Sequence, residues 1–273
     1  MSGDSLHLSE LRIVLLGYKY AGKSSSGNTI LGREEFDTVG RTAQCVNRQG
    51  QVAGRQVTVV EAPGWWKNYQ LEETPELTRN EIELSVSLCP PGPHALLLVI
   101  RVDKPLTETE KRSVQKHLEL LSERVWSHTI VLFTCGDWLG DTPIEQHIES
   151  EGESLQWLVE KCGNRYHVLN NQKREDHMQV TQLMEKIEEM VAGNRGRHYE
   201  MERQRREILE DKRRRDEERV KERMMKVKIE SESLRSQMGE LRISYSTTSL
   251  LLLVSNGLYI SFLYTVTDIL HSR

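Results

Sequence analysis

Eight consecutive residues constrain this chain more than any other stretch: Gly17, Tyr18, Lys19, Tyr20, Ala21, Gly22, Lys23 and Ser24. Two glycines five positions apart, followed by Lys-Ser, make the spacing of a phosphate-binding loop. The glycines let the backbone curl until successive N–H groups face phosphate oxygens. Lys23 supplies a point charge to the β and γ phosphates, and Ser24 offers a hydroxyl to a metal ion. Residues 11–16 (LRIVLL) read as a buried strand before the loop, and residues 24–31 as a helix after it. That helix points its positive N-terminal end at the same anion. A glycine turn with an incidental Lys-Ser would not need strand, loop and helix in this order.

The surrounding pattern agrees with an α/β fold. Residues 56–61, 95–102, 129–134 and 166–169 are further short β-branched runs. Thr107 with Glu110 three positions on forms a capping-box signature. Val114, Leu118 and Leu121 then follow at helical spacing. Val180, Leu183, Met184, Ile187, Met190 and Val191 mark one face of a last helix, with Gly193 at its stop. Strands alternating with helices predict a central, mostly parallel sheet covered on both sides.

Two further elements lie where such sheets bind ligands, at the carboxyl ends of strands. The run Val57-Thr-Val-Val-Glu61 ends in an acid that can hold magnesium through water, and Gly64 beyond it can offer its N–H to a γ-phosphate. Thr134-Cys-Gly-Asp137 closes a later strand. A carboxylate there can accept from both N1–H and the N2 amino group of guanine, a donor pair that adenine lacks. Asp137 therefore points to GTP or GDP over ATP.

The remainder of the chain changes character twice. Residues 9–195 read as the nucleotide domain. Residues 196–242 are rich in Glu, Lys and Arg, with high helix propensity and no sustained heptad. They fit a solvated helix, a coiled coil, a spacer, or a helix docked on the domain or a partner. Residues 243–267 contain no charged side chain, and their length suffices to cross ~30 Å of hydrocarbon. They predict a membrane anchor, with an amphipathic or buried helix as the alternative. Four scattered cysteines offer neither zinc spacing nor a disulfide framework, which predicts a reducing compartment. The first residues lack a secretory pattern, and a formal net charge of −4 gives no pull toward nucleic acid.

With these elements placed, residues 11–193 resemble the immunity-associated nucleotide-binding GTPases (the IMAP or GIMAP family), relatives of septins and of the chloroplast import GTPases. The diagnostic stretch is residues 12–32, RIVLLGYKYAGKSSSGNTILG. Residues 91–102 are similar to the family's conserved box, and residues 165–171 to its last guanine motif. The resemblance implies a P-loop G domain holding guanine nucleotide and Mg2+, with dimers or oligomers in the GTP state and a link to immunity. It also implies attachment of the cytosolic domain to an intracellular membrane. Carried over, Gly17 through Ser24 and Ser25 hold phosphates, while Thr42 acts as the first-switch threonine. Gly64 senses the γ-phosphate, Asp137 reads guanine, and Asn170 or Asn171 lines the base pocket. Ser24, Thr42 and Glu61 form the metal set.

Departures from the family pattern bear on activity. The family has Asp-Thr-Pro-Gly where this chain has Glu61-Ala-Pro-Gly64, so the carboxylate is displaced by ~1.5 Å. Trp65 and Trp66 follow Gly64, leaving no glutamine to orient an attacking water. They suit an exposed dimer contact, and burial beneath the switch is equally allowed. Lys104 stands where some relatives carry an arginine that acts across a dimer, and an ammonium cannot supply the planar fork. The expectation is a GTP-binding switch or scaffold of slow hydrolysis, with no catalytic residue identifiable. The alternatives are a nucleotide-loaded interaction protein that does not hydrolyse, and an ATP-using P-loop enzyme.

Overall fold

The computed structural model describes residues 8–256, with side chains as far as residue 238. The elements in order are β1 (Glu10–Leu16), α1 (Lys23–Leu31), β2 (Val46–Val52), β3 (Arg55–Glu61), α2 (Glu76–Leu84), β4 (Ala95–Arg101) and α3 (Glu108–Glu119). There follow β5 (Thr129–Thr134), α4 (Ile144–Glu151), α5 (Glu153–Lys161), β6 (Tyr166–Val168), α6 (His177–Gly193) and α7 (Arg203–Asn256). Short 3-10 turns join several of them.

Six strands form one sheet in the order β2-β3-β1-β4-β5-β6. All pairs are parallel except β2 with β3. The central strand β1 is buried at every position from Leu11 to Leu16, and β4 is buried from Ala95 to Ile100. Each such aliphatic side chain contributes roughly 1.5–3 kcal/mol on burial, so the continuous apolar runs make these the core strands. Because β1 has β3 on one side and β4 on the other, the chain reverses direction across the sheet at β1. A crevice therefore opens above its carboxyl end.

The strands read from the sequence are all present, but β2 was not legible. Its residues, VNRQGQV, are mostly polar and half-exposed or exposed. It is an edge strand with one partner, so no alternation marks it. A two-residue turn at Ala53 and Gly54, both with positive φ, connects it to β3. Thr107 caps α3 as expected: its side chain accepts from Glu110 N, and Glu110 accepts from Thr107 N at 2.9 Å. Helix α6 buries all six of its predicted apolar residues. Gly193 is its last helical residue, and the left-handed exit falls two and three residues later, at Arg195 and Gly196.

A buried ion pair fixes α6 to the sheet. Arg55 Nε and Nη2 donate to Glu188 Oε1 and Oε2 at 2.8 and 2.7 Å, with both side chains under a tenth exposed. Glu188 Oε1 also accepts from Leu8 N.

The chain divides into two compact units, the first ending at Arg213 and the second beginning at Arg214. The first therefore extends past residue 195, where composition had placed the domain's end. Tyr199 is buried and donates its N–H to Pro93 O, and Leu209 is fully buried. Arg205 forks onto both oxygens of buried Glu83 on α2, each at 2.7 Å. Lys212 pairs with Glu76, and Arg213 with Glu81. In the second unit the backbone is helical to Asn256, and Val220, Met224, Met225, Val227, Ile229, Leu234 and Met238 are exposed. The expected anchor, residues 243–267, lies outside the described side chains, and beyond Asn256 outside the described residues. Among the described residues no helix is long and apolar enough to cross a membrane.

Candidate functional site

The crevice over β1 is a cavity of about 400 Å³. It is lined by the phosphate loop from Lys19 to Ser25, the segment from Thr38 to Thr42, Glu61 and Gly64. Arg101, Thr134, Cys135, Asp137, Asn171 and Gln172 complete it. These residues come from six separate stretches of sequence that meet at the carboxyl edge of the sheet.

The phosphate loop is built as its glycines require. Gly17 has φ +145, and a Cβ there would lie 2.5 Å from Val99 O. Gly17 and Tyr18 form the floor of the loop outside the cavity lining, with Tyr18 buried and its hydroxyl accepting from Arg101 N at 3.1 Å. Ala21 O accepts from Thr134 Oγ1 at 2.7 Å, fixing the loop to β5. Tyr20 is exposed at the rim, and Ser25 faces the cavity from the first turn of α1.

Lys23 is buried and donates to Gly17 O and Tyr18 O, each at 3.1 Å. Burial pushes its ammonium down to about 8. Glu61 partly offsets that shift, and Lys19 adds to it. Gly64 comes so close that a Cβ would sit 2.7 Å from Lys23 Nζ and 2.8 Å from Lys19 N. No larger residue fits where the segment after β3 meets the loop.

The three expected metal-site residues converge. Ser24 Oγ and Thr42 Oγ1 both donate to Glu61 Oε1, at 2.8 and 3.3 Å. The longer glutamate thus still reaches the serine. Burial raises the Glu61 carboxyl above its ordinary value, opposed by the Ser24 hydrogen bond and by Lys23. Two hydroxyls and one carboxylate are hard oxygen donors of the kind that magnesium selects. Among the described residues, no cluster of three or more His, Cys, Asp or Glu forms a separate metal cage. Phosphate oxygens would have to complete this one.

At the other end, Asp137 is exposed, and its carboxylate accepts no hydrogen bond from the described residues. Asn171 lines the cavity, with Oδ1 accepting from Thr29 Oγ1 at 2.8 Å. Asn170 does not line it. Its Oδ1 accepts from Gln172 N and its N–H donates to Gln179 Oε1, so it shapes the turn.

The two tryptophans after Gly64 separate. Trp65 is 1% exposed and stacks flat on His117, while Trp66 is half-open and lies under the Lys19 ammonium at 3.9 Å. Of the two arrangements the sequence allows, exposure holds for Trp66 and burial for Trp65. Trp65 fills the space between the segment after β3 and α3, where its large ring is out of solvent. Lys104 is exposed and absent from the cavity lining. Arg101 was not legible: it sits inside an apolar strand run, and only its place at the end of β4 brings it to the crevice.

Comparison with known proteins places these features. Residues 11–219 match the AIG1 family. GTPase IMAP family member 8 of Rattus norvegicus is 32% identical over 199 residues, covering 70% of this chain and 28% of that protein. Immune-associated nucleotide-binding protein 9 of Arabidopsis thaliana is 33% identical over 198 residues, covering 68% of this chain and 57% of its own length. The chain thus spans well under two thirds of these relatives. Among solved structures, Toc33 from Arabidopsis thaliana in complex with GDP and Mg2+ superposes with a TM-score of 0.55 at 15% identity, covering 68% of this chain and 86% of that one. That likeness is one of fold.

Proposed function

Because this chain belongs to the AIG1 family, we propose that it is a guanine-nucleotide switch that holds GTP or GDP with Mg2+ in the crevice over β1 and hydrolyses GTP slowly. The observation that carries this reading is the meeting of Ser24, Thr42 and Glu61 on one carboxylate oxygen beside Lys23, with Asp137 open at the far end. A lysine with two hydroxyls at one end and a base-edge acceptor at the other match a nucleoside phosphate in polarity. The magnesium would neutralise phosphate charge, and Ser24, Thr42 and Glu61 would hold it. Asn171 and Gln172 would close the base end.

Slow hydrolysis follows from what stands after Gly64. Trp65 is turned under the switch and fixed there, so no side chain at that position orients water. Lys104 offers no planar fork in place of an arginine. The same observation favours a second reading, a nucleotide-loaded interaction protein that never turns over.

Further proposals attach to the same reading. Exposed Tyr20 and Trp66, 6.1 Å apart on the nucleotide face, suit a dimer that forms in the GTP state. The uncharged run 243–267 suits attachment to an intracellular membrane. The names of the relatives suggest a role in immunity.

The test is equilibrium binding of GTP, GDP and ATP to the purified chain with and without Mg2+, followed by single-turnover hydrolysis. Guanine nucleotides should bind at least tenfold tighter than ATP, with phosphate released slowly. Equal binding of ATP would overturn the guanine assignment. No phosphate release at high protein concentration would leave the second reading. Fractionation of cells expressing a chain cut after residue 242 tests the anchor, which fails if the fragment still pellets with membranes.

A further inference from the structure

Arg101 stands in the crevice with no role in the phosphate or base assignments above. It ends β4 and pairs in register with Thr134 of β5, whose hydroxyl fixes the phosphate loop. Its own N–H donates to the Tyr18 hydroxyl at 3.1 Å. Its position is therefore set from both sides, by the loop and by the strand that leads to Asp137.

The guanidinium is set as well. Nε and Nη2 donate to the two oxygens of Asp103 at 2.8 and 2.6 Å, a fork–fork pair. That pairing uses one edge of the group and leaves Nη1, with two N–H donors, without a partner among the described residues. Asp103 also cancels the charge locally. The pair is thus suited to directional hydrogen bonding more than to drawing in anions.

Across the sheet the order is β1 with the phosphate loop that follows it, then β4 ending at Arg101, then β5 ending at Thr134 with Cys135 and Asp137 just beyond. A nucleotide with phosphates at Lys23 and base edge at Asp137 lays its sugar across the strip between them. Ribose offers oxygen acceptors there, and Cys135 offers no strong donor. We infer that Arg101, held by Asp103, is a positioning residue for the sugar of the bound nucleotide. The inference rests on the guanine-nucleotide reading of the crevice.

Calorimetric titration of the full chain with GDP and with a non-hydrolysable GTP analogue tests it, using wild type, Arg101→Ala, Arg101→Lys and Asp103→Asn. Arg101→Ala should weaken both nucleotides by the same factor, about tenfold, as expected for loss of one charge-assisted hydrogen bond. Arg101→Lys should not restore binding, because an ammonium cannot keep the fork with Asp103. Asp103→Asn should fall between. Melting of the nucleotide-free protein should shift little in all three. Wild-type affinity in Arg101→Ala, a loss confined to the triphosphate, or a loss matched by a lower melting temperature of the nucleotide-free protein would overturn the inference. A wild-type chain that binds no guanine nucleotide would overturn the proposed function and this inference together. Wild-type binding with an unaffected Arg101→Ala overturns this inference alone.

Discussion

The indole of Trp65 lies flat on the imidazole of His117, with ring centroids 4.4 Å apart and planes 6° from parallel. His117 Nδ1 lies 2.7 Å from Ser113 O and must donate to it, leaving Nε2 to accept from Thr74 Oγ1 at 2.8 Å. Ser113 Oγ in turn donates to Tyr69 O. The segment after Gly64 is therefore latched to α3 by a neutral histidine, while Trp65 O takes the N–H of Lys19 in the phosphate loop at 2.7 Å.

That neutrality makes stability depend on pH. Burial pushes His117 down to about 4 from its ordinary 6.5. His94 and His167 are pushed down equally far, again chiefly by burial. Between those values the unfolded chain binds more protons than the folded one, so stability is full above pH 6.5 and is lost as pH falls toward 4. Urea unfolding at pH 7.5, 6.0 and 5.0 should show falling midpoints, with His117→Gln flattening part of the slope. A midpoint independent of pH over this range would refute the argument.

Lys23 titrates at the other end of the scale. Burial lowers its ammonium to about 8, and bound phosphates would raise it again. Nucleotide binding above pH 8 should then take up a proton, with affinity falling by up to tenfold per unit. Calorimetry at pH 8.5 in two buffers of different ionisation heat reads the uptake directly. No uptake would mean that Lys23 does not meet the phosphates.

Glu61 should trade stability against binding. Because burial raises its carboxyl, its charge is disfavoured in the fold, and Glu61→Gln should leave the nucleotide-free protein as stable or slightly more so. The same change should cost at least tenfold in Mg2+-dependent nucleotide affinity. Unchanged Mg2+ dependence would remove Glu61 from the metal set.

The Arg55–Glu188 pair gives a purely structural prediction. Glu188→Ala leaves the Arg55 guanidinium buried without its fork, a loss of about 3 kcal/mol or more. Pairing Arg55→Met with Glu188→Leu should recover much of it, since desolvating two ions nearly cancels their attraction. Urea unfolding of the single and double variants decides, and a single-variant loss under about 1 kcal/mol would show the pair to be unimportant.

The crevice was legible where residue type and position act together. Gly17 to Ser24 between a strand and a helix could hardly be read otherwise, and Glu61 and Asp137 followed from strand ends. Thr42 required the family resemblance, because one threonine in a polar loop carries no pattern of its own. Arg101 was lost inside an apolar run, since Val102 after it extends the run by one residue whereas β4 ends at Arg101. Strand β2 was missed for the converse reason: half-exposed on an edge, it has no apolar face to show. The fate of Trp65 turned on His117, fifty-two positions away, a pairing that no local spacing announces.

Glu81 and Glu83, two residues apart on α2, have a consequence for where this protein can be cut. Glu81 accepts from Cys45 N at 2.7 Å and pairs with Arg213, and Glu83 is held by Arg205. A fragment ending at residue 195, where the composition changes, would strip two buried carboxylates of their cations and uncover the site that Leu209 fills. A fragment that keeps both carboxylates paired therefore has to include the first eleven residues of α7, a helix whose sequence looks like solvent-facing spacer.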